Sequence, residues 1–136
     1  MSLAKFTARS ALSAIFTTGG LGEIKSADQL SGAVDGLLAK LPEAATSQIP
    51  DVDPNLLVKA NGCTMLTAGS LLALGIKPRL AATILAAQLV PVTLAGHPFW
   101  EKDDDEKIGE QIQFLKNLGL IGGLLAVALG GATKKK

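Results

Sequence analysis

Four long stretches of the chain contain no charged residue, and their lengths constrain the fold more than any other feature. The stretches are 13, 17, 21 and 17 residues long and cover residues 10–22, 60–76, 80–100 and 117–133. A helix that crosses a bilayer needs roughly 20 mostly apolar residues, within a range of about 17–25. The last three stretches satisfy this length as they stand. The first does so if Lys5 and Arg9 extend their side chains to the membrane surface.

A soluble four-helix bundle is the competing fold for this chain of 136 residues, of which 48% are hydrophobic and 18% charged. The helices of a soluble bundle need a polar face. Residues 80–90 contain one strongly polar side chain, Gln88, and residues 117–132 have no polar face. Because a helix that is apolar all round needs apolar surroundings, we predict an all-α membrane protein. Its single domain, residues 1–136, is expected to be a four-transmembrane-helix bundle.

The distribution of charge along the chain predicts its orientation. The predicted spans cover about residues 3–22, 56–75, 80–96 and 112–131. Bases without acids occur at the N-terminal end of the first span, between the second and third spans and after the last span, and these bases are Lys5, Arg9, Lys77, Arg79 and residues 134–136. All 12 acids lie in the other two connections. Because Lys and Arg near span ends favour the cytoplasmic side, both termini are expected there. A cleavable signal peptide is the alternative for the N-terminus, but its apolar region would be rich in Ser, Thr and Gly.

The predicted outer loop, residues 23–55, is too long for a simple connector. Ser26 and Gln29 have the spacing of a capping box. Apolar residues follow at helical spacing, namely Leu30, Val34, Leu37, Leu38 and Leu41. We therefore predict an extracytoplasmic amphipathic helix between spans 1 and 2 that ends before Pro42. It is expected to lie on the outer membrane surface or to cover the outer ends of the spans.

Three polar residues near the outer ends of the spans form the candidate site. They are Glu23, His97 and Lys116, and together they are a hypothetical binding site for a quinone head. Charged groups at membrane depth are costly, so they suggest a function. The alternative is that these residues stabilise the fold and bind no ligand. His97 would cap a helix end, and Lys116 would form an ion pair with an acid, with Glu23 as the expected partner, that fastens the bundle.

The composition argues against several other classes of site. A single histidine cannot provide two axial ligands for a haem within the chain, and a single cysteine, Cys63, can form neither an internal disulfide nor an iron–sulfur cluster. We therefore expect no metal site and no cofactor held by this chain alone, with a quinone as the open alternative. A net charge of +1 without a basic excess argues against nucleic-acid binding.

Small residues spaced four apart predict close helix packing on two spans. The pairs are Gly119 with Gly123 and Ala82 with Ala86. Such spacing allows helix backbones to approach each other closely in lipid. We interpret both pairs as packing faces inside the bundle, and contact with another subunit is the alternative.

Several segments resemble a known family. These are Phe16-Thr-Thr-Gly-Gly-Leu, Leu74-Gly-Ile-Lys-Pro-Arg-Leu, Gly96-His-Pro-Phe-Trp-Glu and Gln113-Phe-Leu-Lys-Asn-Leu. They are similar to the DoxX family of small bacterial membrane proteins, over nearly the whole chain apart from residues 26–55. The resemblance implies a four-helix fold in the bacterial cytoplasmic membrane and a link to quinol oxidase and thiosulfate oxidation systems.

Two functions follow from the resemblance as expectations. The first is a non-catalytic accessory or scaffold subunit of a larger membrane complex, respiratory or redox-associated, whose partners are membrane lipids and other integral membrane subunits. The alternative is a quinone-binding subunit of a membrane oxidoreductase of the quinol oxidase or thiosulfate:quinone type, with Glu23, His97 and Lys116 around the quinone head. A transporter is disfavoured because no matching pair of interrupted helices is visible.

Overall fold

Most of the described part of the chain is helical. The computed structural model describes residues 2–48 and 50–130, apart from the side chain of residue 95, and contains no strand within these ranges. A 3-10 helix, Phe99–Glu101, precedes the last helix. The α-helices are α1 (Leu3–Lys25), α2 (Ala27–Leu38), α3 (Glu43–Thr46), α4 (Pro54–Leu74), α5 (Pro78–Gly96) and α6 (Asp104–Leu129).

The described helices confirm an all-α protein with several membrane-crossing candidates. Three segments are long and apolar enough to cross a bilayer, namely Pro54–Leu74, Pro78–Glu101 and Asp104–Leu129. They coincide with the second, third and fourth predicted spans. Helix α1 coincides with the first predicted span and is 23 residues long, but it is not among the three. Helix α6 begins earlier than the predicted residue 112 because acidic residues in its first turn suit the positive end of the helix dipole.

The ends of α4 and the start of α5 follow from local sequence. The side chain of Asp53 accepts a hydrogen bond from the Asn55 amide at 3.0 Å, which caps α4. At the other end, Gly75 adopts the left-handed conformation, with φ of 72°, that commonly ends a helix. Lys77 follows, also with positive φ, and Pro78 is the first residue of α5. The turn between α4 and α5 is therefore short, and it contains Lys77.

Helices α1 and α4 form the closest packed pair, and glycines on both helices make the contact. A Cβ atom placed on Gly20 would lie 2.5 Å from the carbonyl oxygen of Gly62, and one on Gly62 would lie 2.6 Å from the carbonyl oxygen of Gly20. A Cβ atom on Gly69 would lie 3.0 Å from Cγ2 of Thr17. Only glycine allows the two backbones to approach this closely, as small residues do at other helix interfaces in membranes.

The core joins α1, α4, α5 and α6. Its largest fully buried apolar side chains are Phe16, Leu72, Leu85 and Leu124. Ala82 and Ala86 are also buried in this core, which confirms the packing face predicted for the third span.

The glycine pair predicted for the fourth span behaves differently. A Cβ atom on Gly119 would meet nothing within 4 Å, whereas one on Gly123 would lie 3.6 Å from Leu12. The prediction that Gly119 packs inside the bundle is therefore wrong. The reason is that α6 packs mainly on α5 and leaves most of its surface uncovered.

Helix α2 is the amphipathic helix predicted from the spacing of its leucines. It starts directly after Ser26, whose side chain makes no capping hydrogen bond, and it ends at Leu38, so Leu41 lies beyond it. Its neighbours are α4 and α5. An ion pair between Lys40 and Glu101, at 2.7 Å, ties the segment after α2 to the 3-10 helix. Helix α2 therefore lies across one end of the α4–α5 pair.

Candidate functional site

Three polar side chains connect α1, α4 and α5 in the interior. Nδ2 of Asn61 donates a hydrogen bond to Oε2 of Glu23 at 2.8 Å. Nε2 of Gln88 donates to Oδ1 of Asn61 at 2.8 Å and to the backbone oxygen of Asn61 at 3.2 Å. Oε1 of Gln88 is buried without a hydrogen-bond partner in the described structure. We call Glu23, Asn61 and Gln88 the polar triad.

A cavity of about 430 Å³ lies beside the polar triad, between α2 and the α4–α5 pair. Glu23 and Asn61 provide its polar part. The rest of the lining is Leu30, Ala33, Val34, Leu37, Leu38, Leu57, Val58, Pro91, Val92 and Gly96. The apolar face of α2 thus lines a space rather than packing fully against its neighbours. We call this space the α2 cavity.

The chemistry of the α2 cavity is set by the half-buried Glu23 carboxyl group, which within residues 2–48 and 50–130 is paired with an amide and not with a cation. Oε1 of Glu23 has no hydrogen-bond partner among the described residues. An ionised carboxylate accepts hydrogen bonds, and a protonated one also donates. An apolar cavity that ends on such a group suits a ligand with an apolar body and a polar head.

The other two residues of the predicted site lie elsewhere. Nδ1 of His97, at the end of α5, is 2.7 Å from Oε2 of Glu110 on α6. Nζ of Lys116 is 3.2 Å from Oε1 of Gln113 on its own helix, and Lys116 is exposed. Neither His97 nor Lys116 lines the α2 cavity.

The predicted ion pair between Lys116 and Glu23 is therefore wrong. The cause is the order of the helices, because α1 packs on α4 while α6 packs on α5, so α1 and α6 have little contact. Among residues 2–48 and 50–130, no three His, Cys, Asp or Glu side chains are grouped so that they could hold a metal ion.

The model of the DoxX family matches residues 4–98, which is more than half of the chain. The chain belongs to the DoxX family. The matched region of this DoxX protein contains α1 to α5, the polar triad and the whole α2 cavity. No curated protein matches the chain, and no solved structure does.

The extent of the match refines the resemblance drawn from the sequence. The match includes residues 26–55, which that resemblance leaves out, and it ends before α6. Residues 113–118, which contributed to the resemblance, therefore lie outside the matched region of this DoxX protein. The segment that contains α2 thus belongs to the matched region, and so does the cavity beneath it.

Sequence reasoning identified one of the two polar groups in the cavity lining, Glu23, and missed Asn61. The signal for Asn61 was present, because it is an amide within a charge-free stretch, where polar side chains are rare and commonly face the bundle interior. Gln88 was recognised only as an exception to an apolar run. Glu23, Asn61 and Gln88 meet because α1, α4 and α5 each turn the polar side chain toward the other two helices. A local sequence pattern does not specify how each helix is rotated about its axis.

Proposed function

We propose that this DoxX protein binds an isoprenoid quinol or quinone in the α2 cavity and presents it to an oxidoreductase partner in the membrane. The observation that carries the proposal is the apolar cavity of about 430 Å³ that ends on Glu23 and Asn61. Ligand sites of this kind have volumes of about 300–1,000 Å³, mostly apolar linings and a few polar groups. Family membership supports the redox setting.

The polar groups determine which atoms of the ligand would be held. A quinol hydroxyl group would donate a hydrogen bond to Oε1 of Glu23, the carboxyl oxygen that has no partner in the part of the chain that the structure describes. The apolar ring and the first part of the tail would contact the aliphatic side chains of α2, α4 and α5. The protein's own residues thus bind and orient the quinol, while an electron acceptor would belong to another subunit.

An accessory role remains compatible with this binding role. The chain contains one histidine and one cysteine, which favours a division of labour in which a partner subunit carries the redox centres. In that arrangement the protein is non-catalytic on its own and acts as the quinol-holding subunit of a respiratory or redox-associated complex.

We also propose that α1 crosses the membrane, which gives four spans with both termini in the cytoplasm and α2 outside. Its 23 residues correspond to about 34 Å of helix. The hydroxyl groups of Ser13, Thr17 and Thr18 donate hydrogen bonds to carbonyl oxygens of the preceding turn, which lowers the cost of placing them in lipid. The close contact of α1 with α4, a candidate span, supports the same arrangement.

The test is quinone extraction from purified protein, combined with binding of a decyl-substituted benzoquinol in detergent. We expect about one quinone per chain in the wild type. A hydrogen bond to a charged group contributes about 1.5–3 kcal/mol, so Glu23→Gln should weaken quinol binding roughly tenfold or more. Lys116→Met is the matched control, because it removes a charge outside the cavity.

A second variant tests the cavity without changing its polar end. Val34→Trp places a large side chain into the α2 cavity from α2, and it should reduce binding while the helical content is retained. Equal binding by wild type, Glu23→Gln and Val34→Trp would contradict the proposal. A large co-purifying complex that contains no quinone would favour the scaffold role alone.

A further inference from the structure

A second cavity lies between α4 and α5, near the turn that joins them, and it is separate from the α2 cavity. It has a volume of about 290 Å³ and an almost wholly apolar lining. The buried Ala68 and Ala81 contribute small side chains to it, and Leu71, Leu80 and Ile84 contribute larger ones. Lys77, in the turn, also lines it. We call this space the α4–α5 groove.

The α4–α5 groove has an elongated lining. Its residues on α4 extend from Cys63 to Leu71, which corresponds to about 12 Å along the helix. Its charged residue, Lys77, lies where the two helices meet at the turn, and Cys63 lies farthest from the turn along α4. A ligand that fits this shape has an anionic group at the turn and a flexible apolar chain directed toward the middle of α4.

No acid among the described residues pairs with the positive charge of Lys77 at the turn. No Asp or Glu occurs between Asp53 and Glu101, so the α4–α5 hairpin contains only bases among its ionised residues. Lys77 forms no ion pair with the described residues. It is also the N-cap residue of α5 and makes no side-chain capping bond there. An anion beside Lys77 would therefore also be favoured by the positive end of the α5 dipole.

We propose that the α4–α5 groove binds one acyl chain of an anionic phospholipid, whose phosphate contacts Lys77. This site is independent of the quinol site. A free phosphate ion would leave the apolar groove empty, and a neutral apolar chain would leave Lys77 unbalanced, so a lipid that combines both groups fits the lining as a whole. Basic clefts between membrane helices on the cytoplasmic side are suited to such head groups.

The test is native mass spectrometry of the full chain released from micelles that contain equal amounts of phosphatidylglycerol and phosphatidylcholine. We expect the wild type to retain one phosphatidylglycerol in preference to phosphatidylcholine, by roughly fivefold. Lys77→Gln should lose this preference. Arg79→Gln is the matched control, because Arg79 is an exposed base in the first turn of α5 that does not line the groove.

A filling variant tests the position of the acyl chain separately from the charge. Thr67 is exposed and lines the groove, so Thr67→Trp should reduce retention of the lipid while circular dichroism shows unchanged helical content. Equal retention of both lipids by the wild type would overturn the proposal. Equal losses in Lys77→Gln and Arg79→Gln would reduce it to general surface attraction, and full retention in Thr67→Trp would place the chain elsewhere.

Discussion

The substitution Gly62→Ala tests whether the close contact between α1 and α4 holds the fold and the polar triad together. The added Cβ atom would lie 2.6 Å from the backbone oxygen of Gly20 and 3.0 Å from Cβ of Glu23. Ordinary contacts of a Cβ atom begin near 3.4 Å, so the two helices must separate locally by about 0.8 Å. A similar displacement would lengthen the 2.8 Å hydrogen bond between Asn61 and Glu23 to about 3.6 Å, which is no longer a hydrogen bond.

Three terms set the expected size of the effect. Overpacking costs about 1–3 kcal/mol, and losing a hydrogen bond to a charged group costs about 1.5–3 kcal/mol. Replacing glycine by alanine within a helix gains about 1 kcal/mol. The net result is a loss of about 1.5–5 kcal/mol, which corresponds to a decrease in Tm of roughly 6–20 °C for a chain of this size.

The assay is thermal unfolding in detergent, followed by circular dichroism at the helical band. Gly119→Ala is the matched control, because its Cβ atom would meet nothing within 4 Å and only the gain in helix propensity remains. We expect Gly62→Ala to melt well below the wild type and Gly119→Ala at or above it. If Gly62→Ala melts at the wild-type temperature, the two backbones are not in contact at this point, and the reasoning fails.

Three further predictions concern the exposed lysine, helix α2 and the topology. Lys116→Met should change stability by less than about 0.5 kcal/mol in the same melting assay, since the lysine is exposed and its hydrogen bond in the described structure is to its own helix. A large loss of stability would instead indicate that Lys116 forms an ion pair with another helix. Leu37→Asp with Leu38→Asp should expose the loop after α2 to protease, because each of these half-buried leucines contributes at most roughly 1.5–3 kcal/mol to docking, and unchanged cleavage would mean that this face is not docked. A reporter at the C-terminus should be cytoplasmic and one at Asp51 extracytoplasmic, whereas labelling of Asp51 only after lysis would reverse the orientation.

The sequence was sufficient to predict the long helices, but not the short helix α3 or the 3-10 helix Phe99–Glu101. The thickness of a bilayer sets how many apolar residues a crossing helix needs. Helices α4, α5 and α6 occur where the charge-free stretches have about this length. Spacing of leucines likewise predicted α2, with an error of a few residues at its C-terminal end. These features depend on short segments of the chain, so a local pattern determines them.

Local sequence patterns did not predict which helices pack against each other. The pair Gly119 and Gly123 has the spacing of a contact site, yet a Cβ atom on Gly119 would meet nothing within 4 Å, whereas Gly20 and Gly62, on different helices, nearly touch. The same limitation produced the wrong pairing of Lys116 with Glu23. Both errors come from not knowing that α1 lies against α4 and that α6 lies against α5. Helix order is set by the sum of many side-chain contacts over the bundle.

The contact of Gly20 with Gly62 and the polar triad depend on the same packing of α1 against α4. Asn61 is next to Gly62 in α4, and Glu23 lies one turn after Gly20 in α1, so the contact that brings the two backbones together also sets the distance between Asn61 and Glu23. The close packing of the α1 and α4 backbones therefore fixes the polar end of the α2 cavity. The opposite wall is α2, which begins directly after α1 and whose leucines line open space. Because one side is fixed and the other is only partly packed, we expect α2 to move more easily than Glu23 if the proposed quinol enters the cavity.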